Sequence, residues 1–248
     1  MKTYLLPPLL LLLIAACQPE PATDKAAEVV NQAIEVHGGD AFEENAKLAF
    51  EFRDRTYMYQ RNGGTFEYRR IFTDSTGEAI TDILNNSGFV RLVNGDTVQL
   101  AEERQQAYSS SVNSVIYFAL LPYRLNDAAV QKEYLGQVEI EGEPYDKVKV
   151  TFAEEGGGED HEDTFVYWFH ANEHTLDYLA YQFHTDGGGY RFRKAYNPRQ
   201  TGGILWLDYI NYKPEVSKLA VEEMDSLFAI GKLEELSRIE LENIRVIE

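Results

Sequence analysis

Between residues 47 and 100 the sequence places an apolar side chain at every second position and interrupts that rhythm only with tight-turn residues. Leu48, Phe50 and Phe52 alternate with Lys47, Glu51 and Arg53, and Phe66, Tyr68 and Phe72 alternate with Glu67 and Arg69. A period of two sends successive side chains to opposite faces of a strand, so each run is a strand with one greasy face. Asn62-Gly63-Gly64 and Asn94-Gly95-Asp96 separate the runs, with further turns at residues 75–77 and 85–88. These residue types accept the positive backbone angles of hairpins. Connections this short exclude parallel crossovers, which leaves a meander of about five antiparallel strands.

Strands resume near Val130 and run to about Tyr212, at residues 148–152, 164–170, 178–183, 190–196 and 205–212. In Phe165-Val166-Tyr167-Trp168-Phe169 both alternating faces are apolar or aromatic, as in a strand covered on both sides. Three helices interrupt the strands. Ala26, Val29, Val30, Ala33, Ile34 and His37 recur at helical spacing, with Thr23 or Asp24 to cap the start and Gly38 the end. Val112, Val115, Ile116, Ala119 and Leu120 make a central helix, stopped at Pro122 and expected against the concave face of the sheet. Residues 217–230 form a third helix through Met224, Leu227 and Phe228. Ile239 and Leu241 then alternate with Arg238, Glu240 and Glu242 in a last strand. The expected class is α+β: a strongly curved antiparallel sheet with N-terminal, central and C-terminal helices. No linker, composition shift or fixed-period repeat divides residues 24–248, which are expected to form one domain.

The N-terminus bears on location. Lys2 precedes an apolar stretch from Leu5 to Ile14, which includes Pro7 and Pro8, and then come Ala15, Ala16 and Cys17. A positive end, a greasy middle and small residues at the cut are the layout of an export signal, here residues 1–16. The run falls short of the roughly 20 residues that span a bilayer. Leu13-Ile14-Ala15-Ala16-Cys17 resembles a bacterial lipobox, in which cleavage occurs before a cysteine bearing a diacylglyceryl thioether. The bland alternative is an ordinary signal peptide with an incidental cysteine. Cys17 is the only cysteine, so no intramolecular disulfide exists and packing must hold the fold. Two or three acyl chains, at about 0.8 kcal/mol per buried methylene, anchor a protein stably. Residues 17–23, with Pro19 and Pro21, read as an extended tether. Gln18 differs from the aspartate that retains some lipoproteins at the inner membrane, so the resemblance favours the outer membrane.

Charge narrows the partners. Among 248 residues, 41 Asp and Glu oppose 23 Lys and Arg, a formal net charge of -18. Such a surface repels phosphate backbones, so nucleic acid is not an expected partner.

No catalytic or metal constellation stands out. His170 and His174 flank Ala171-Asn172-Glu173, which reads as a hairpin turn and not as a helix face that could hold zinc. Adding His184 would join three imidazoles only if two strands met there, and His37 reads as a histidine packed at a helix end. Residues 154–163 carry six carboxylates (Glu154, Glu155, Glu159, Asp160, Glu162, Asp163) without the oxygen spacing of an EF-hand, as in a solvated hairpin tip. There is no Gly-x-Ser-x-Gly elbow. Gly187-Gly188-Gly189 leads into the strand Tyr190-Arg191-Phe192-Arg193 and is a hairpin loop, not a phosphate cradle. No catalytic residue, metal ligand or cofactor is assigned.

The helix ending in His37-Gly38-Gly39, the long meander, the apolar mid-chain helix and the second meander together resemble the lipoprotein carrier superfamily typified by LolA and LolB. That resemblance implies an incomplete β-barrel whose hollow, partly closed by helices, takes up acyl chains. His37-Gly38-Gly39, Tyr117 with Phe118 to Leu121 and Pro122, and the run from Leu236 to Ile244 also resemble an uncharacterised Bacteroidota lipoprotein family (DUF6503-like), over roughly residues 24–248. The soluble carrier of the superfamily has no lipid anchor, so Cys17 fits the anchored receptor type better. The expected function is a non-catalytic, lipid-anchored envelope lipoprotein that binds a lipid or a lipoprotein acyl chain. Its partners are then the membrane, through the N-terminal lipid, and a hydrophobic ligand. Phe50, Phe52, Phe66, Tyr68, Tyr167, Phe169 and Phe183 are the candidate lining residues, and for each plain core packing is the stronger competing reading. Two readings compete: a solidly packed structural or interaction subunit of an envelope complex, and a hydrolase or metal enzyme built on His170, His174 and His184.

Overall fold

The computed structural model describes residues 24–44, 47–155, 162–184, 187–215 and 219–247. The signal segment (1–16), Cys17 and the tether to residue 23 lie outside the described residues, as does the centre of the acidic stretch between Glu154 and Asp163. The chain opens with α1 (Lys25–His37). The Asp24 carboxylate accepts hydrogen bonds from the Ala26 and Ala27 backbone N–H groups, satisfying donors that have no partner inside the helix. A short α2 (Ala41–Glu44) leads into β1 (Lys47–Phe52), β2 (Arg55–Asn62), β3 (Thr65–Thr73), β4 (Ala79–Asn85), β5 (Gly88–Val93) and β6 (Asp96–Val98).

The central helix, α3 (Glu102–Ala119), is longer than its apolar pattern predicts. Glu102, Glu103, Gln105 and Gln106 form helix readily yet carry no apolar period, so the first turns are silent in a reading based on burial. A 3-10 turn (Tyr123–Asn126) follows. Then come β7 (Val130–Ile140), β8 (Glu143–Phe152), β9 (Thr164–His170), β10 (Leu176–Phe183), β11 (Gly189–Thr201) and β12 (Ile204–Pro214). The third helix is shorter than expected, a 3-10 turn (Val221–Glu223) running into α4 (Met224–Ala229).

The chain ends in two strands where the sequence suggested one: β13 (Leu233–Ile239) and β14 (Glu242–Val246). The difference organises the fold. All pairings are antiparallel and give two seven-stranded sheets, β14-β1-β2-β3-β4-β5-β6 and β13-β12-β11-β10-β9-β8-β7. The terminal ribbon edges one sheet through β13 and the other through β14, so it joins them into the expected incomplete barrel. At the crossing the ladder lapses, and side chains take over its backbone groups. Asp208, 2% exposed, accepts from Leu241 N–H at 2.9 Å, from Arg199 at 2.9 Å and from Asn197 at 2.6 Å, while Arg199 also donates to the Leu241 carbonyl.

Three apolar clusters fill the layers. The inner face of the β1–β6 sheet buries Leu48, Phe50, Tyr57, Tyr59 and Tyr68 against Val112 and Ile116 of α3 and Leu120 at its C-terminal cap, with Trp206 reaching in from β12. On the other sheet, β9 is covered on both sides as its composition required. Phe165, Tyr167 and Phe169 face α1 and the end of α3, whereas Val166 and Trp168 pack with Val221 and Met224 beside α4. The polar half of α3 docks through charge. Asp82, fully buried, accepts from Arg70 and Arg91, Arg70 also donates to Ser111 Oγ at 2.8 Å, and Arg91 lies 3.8 Å from the Tyr108 ring centroid.

The His37-Gly38-Gly39 run has a packing role. His37 is completely buried, and its Nε2 accepts the Leu176 backbone N–H at 3.0 Å, tying the end of α1 to the start of β10. A Cβ on Gly38 would stand 3.2 Å from both the Ile204 backbone and the Phe42 ring, at a φ of 146°. Burial lowers the His37 pKa to about 4, against a weaker opposing effect of the Leu205 backbone. The folded pKa is depressed, so the stability gained by keeping His37 neutral is present above the ordinary value of about 6.5 and drains away as pH falls from there towards 4, amounting to about 3 kcal/mol. His37→Gln, which keeps an acceptor for Leu176 but does not titrate, should therefore lose less stability than wild type between pH 7 and pH 4.5 in urea melts. Identical losses in the two proteins would contradict this role.

Candidate functional site

β9 and β10 pair so that Phe165 and Tyr181 lie together, with Phe183 two residues further on the same face of β10. α1 is tied to the opposite end of this hairpin, at Leu176. The end bearing Phe165, Tyr181 and Phe183 is instead approached by α3, and the fit is incomplete. A half-open cavity of about 350 Å³ remains, lined by Asn113, Ser114, Tyr117 and Phe118 of α3, Phe152, Asp163, Phe165, Tyr181, Phe183 and Arg191. A smaller void of about 90 Å³ lies beyond, bordered by Phe52, Ser114, Val115, Phe118, Ala119, Arg193, Leu207, Tyr209, Ile239 and Leu241. Ser114 and Phe118 line both and form the partition between them.

Aromatic rings dominate the larger cavity. Phe165 stacks on Tyr181 at 5.5 Å and meets Phe152 edge-on at 5.7 Å, and Phe118 lies 5.3 Å from Tyr181. At its floor the Tyr117 and Tyr167 hydroxyls bond to each other at 3.0 Å. Burial pushes both phenols above their ordinary pKa, so each is neutral and can donate one hydrogen bond. At the rim, His184 meets the carboxylate of Asp163 at 3.2 Å, and the Arg191 guanidinium lies 4.9 Å from the Phe183 ring centroid.

The seven aromatic residues singled out from sequence are distributed as follows. Phe183 lines the larger cavity and Phe52 the smaller void. Tyr167 supplies the floor hydrogen bond, and Phe169 packs beside it at 6.2 Å within the cluster that includes α1. Phe50 is enclosed between Tyr57 and Trp206, at 5.5 and 6.0 Å. Tyr68 is buried on Tyr59 and accepts from Arg124 at 2.6 Å. Phe66 stands against Tyr68 at 4.8 Å and borders a polar recess with Gln60, Asn62, Asn85 and Ser87, away from α3.

Among the residues that the sequence reading did not assign to the site are Asn113, Ser114, Phe152, Phe165, Tyr181, Arg191 and Arg193, with Tyr117 and Phe118 noted there only as motif. The sequence marked Tyr190-Arg191-Phe192-Arg193 as a strand without showing which of its two faces turns inward. α4 covers the other face of the sheet, where Phe192 packs with Trp168 and Phe228, and so Arg191 and Arg193 turn towards α3.

The described histidines do not converge. His37 serves β10, and the Nδ1 of His170 accepts the Asn172 and Glu173 backbone N–H groups across the β9–β10 turn. His184 lies at the far end of that hairpin, beside Asp163. Among the described residues no group of three or more His, Cys, Asp or Glu side chains is placed to hold a metal ion.

With the geometry in hand, comparison with known proteins gives one family and several solved structures. A model described as a family of unknown function (DUF6503) matches residues 4–241. No curated protein matches the chain. The chain is similar to a LolA superfamily protein from Nitrosomonas europaea, at 9% identity over 90% of this chain and 94% of that one, with a TM-score of 0.48. It is similar to a DUF1329 family protein from Desulfovibrio piger, at 10% identity over 90% and 94%, with a TM-score of 0.45. The lipoprotein LppX from Mycobacterium tuberculosis is matched at 12% identity over 67% of this chain and 91% of that one, with a TM-score of 0.29.

The tyrosine pair at the cavity floor gives a direct check of its enclosure. Tyr117→Phe alone leaves the Tyr167 hydroxyl without a partner and should cost about 1–2 kcal/mol. Replacing both with Phe removes the polar pair together and should cost less than the sum of the two single changes. Additive losses in a double-mutant cycle would mean that the hydroxyls are wet and the floor is open.

Proposed function

The chain belongs to the DUF6503 family, whose function is unknown, and from that premise we propose that it is a non-catalytic, lipid-anchored envelope lipoprotein that houses an apolar moiety between α3 and the inner face of its half-barrel. The observation that carries this reading is the cavity of about 350 Å³ walled by Phe118, Phe152, Phe165, Tyr181 and Phe183. Rings held in place by packing offer a preformed apolar surface, and each methylene moved into it from water is worth about 0.8 kcal/mol. The volume stands at the lower end of the roughly 300–1,000 Å³ usual for small-molecule sites, which favours one acyl chain over the several carried by a lipoprotein terminus.

Leu13-Ile14-Ala15-Ala16-Cys17 supports an envelope address with lipid on Cys17, and Gln18, standing where an aspartate retains some lipoproteins at the inner membrane, favours the outer membrane. The non-catalytic reading is supported by what His37 and His170 do: each accepts backbone N–H groups that would otherwise lack partners. A packed interaction subunit is the second reading, favoured by Phe50, Tyr167 and Phe169, which are at most 1% exposed. Stable co-purification of a partner with an empty cavity supports that version.

Two variants separate anchor from cavity. Cys17→Ala should move the protein from the membrane to the soluble envelope fraction and end incorporation of labelled palmitate. An unchanged membrane fraction rules out the lipid anchor. Ser114→Phe fills the partition between cavity and void from a half-buried helix position. It should weaken binding of a fluorescent fatty acid by at least about tenfold, equivalent to 1.4 kcal/mol, with the melting temperature nearly unchanged. Undiminished binding places the ligand elsewhere.

A further inference from the structure

In an acidic chain, the inner wall of the half-barrel holds a cation that none of the described carboxylates meets. Arg193 is 8% exposed, and its Nε is buried without a hydrogen-bond partner. One Nη donates to the Tyr181 hydroxyl at 2.9 Å, and the guanidinium carbon lies 3.9 Å from the Phe118 ring centroid. Among the described residues no carboxylate stands within salt-bridge distance of it, whereas Arg70, Arg91 and Arg199 are each held against a buried one. A buried charge left unpaired is costly, and arginine cannot shed its proton to escape the cost. Rings offset part of it through the quadrupole, but they supply no acceptor for Nε.

Arg193 borders the void of about 90 Å³ that adjoins the larger cavity, the two spaces sharing Ser114 and Phe118 in their linings. At about 30 Å³ for each water-sized group, that void takes a small oxyanion and little more. Building on the proposed function, we infer that the ligand is a single-chain amphiphile whose anionic oxyacid head pairs with Arg193 while its chain occupies the larger cavity. Among the described residues the head displaces nothing charged, because the one lining carboxylate, Asp163, belongs to the outer cavity beside His184. An acidic exterior slows the approach of any anion, so the preference for one must come from this interior contact and not from long-range attraction. A carboxylate and a phosphate monoester both satisfy the guanidinium fork.

The test uses the full chain carrying Cys17→Ala, so that no detergent competes, and three probes of equal chain length: palmitate, hexadecyl phosphate and hexadecanol. Calorimetric titration at pH 8 should show palmitate or hexadecyl phosphate bound at least about tenfold more tightly than the alcohol, and the tighter of the two identifies the head group. Arg193→Met should erase that preference while retaining alcohol binding, and Arg193→Lys should restore part of it. Equal affinity for acid and alcohol in the parent protein, or a preference surviving in Arg193→Met, overturns the head-group assignment and leaves the apolar cavity standing. If none of the three probes binds, the inference and the proposed function both fall. Circular dichroism melts of the Met and Lys variants check that any loss is not one of folding.

Discussion

The crossing of the terminal ribbon from one sheet to the other, held by Asp208, is the constraint on which the rest of the architecture depends. A ladder cannot continue through a change of sheet, so the Leu241 N–H and C=O would be orphaned at the bend. Asp208 and Arg199 meet both, and Asp208 is nearly inaccessible to water, where an unmade bond would be most costly. With the bend fixed, β13 and β14 edge different sheets and the two inner faces share a single interior. Trp206 on β12 packs near Phe50 on β1, and α3 lies against both sheets. The cavity is therefore a product of topology: α1 closes one end of the β9–β10 hairpin, and α3, held by the Asp82 network and by Ile116 and Leu120, approaches the other end without filling it.

Coverage of the second sheet on both faces gives the interior its chemistry. α4 draws Trp168, Tyr178 and Phe192 to the outside of that sheet, and Asp225 fixes it there by accepting from Lys147 at 2.8 Å and from the Trp168 ring N–H at 3.0 Å. The alternate positions on β11 are then forced inward, and two of them are arginines. The same packing that supplies an apolar wall at Phe165 and Tyr181 thus places a cation within it. Apolar volume and an interior guanidinium that no described carboxylate neutralises together describe an amphiphile better than a plain hydrocarbon.

Much of this fold is legible in the residues. The turn dipeptides and the period of two gave the antiparallel meanders, the doubly apolar run from Phe165 to Phe169 gave a strand covered on both sides, and His37 beside two glycines gave a histidine packed at a helix end. Where the reading stopped short, local pattern was competing with tertiary context. Glu240 and Leu241 continue the alternation of the last strand, and nothing near them in sequence reveals the bend, which is made by Asp208 more than thirty residues earlier. Around Arg191 and Arg193 alternation reports which face is more apolar, not whether water reaches the other. Of the aromatic candidates, Phe52 and Phe183 border open space while Phe50, Tyr167 and Phe169 are enclosed by packing, a distinction that depends on how far α3 reaches and not on residue type.

The central claim is that an acyl chain lies between α3 and the β9–β10 hairpin. Photo-crosslinking with a palmitate analogue bearing a diazirine on its chain, followed by peptide mass spectrometry, tests it most directly. The account predicts adducts on Phe118 and on the segment around Phe165, Tyr181 and Phe183, suppressed by excess palmitate. Labelling confined to α4 or to the outer face of the β1–β6 sheet, or labelling that excess palmitate leaves unchanged, would contradict it.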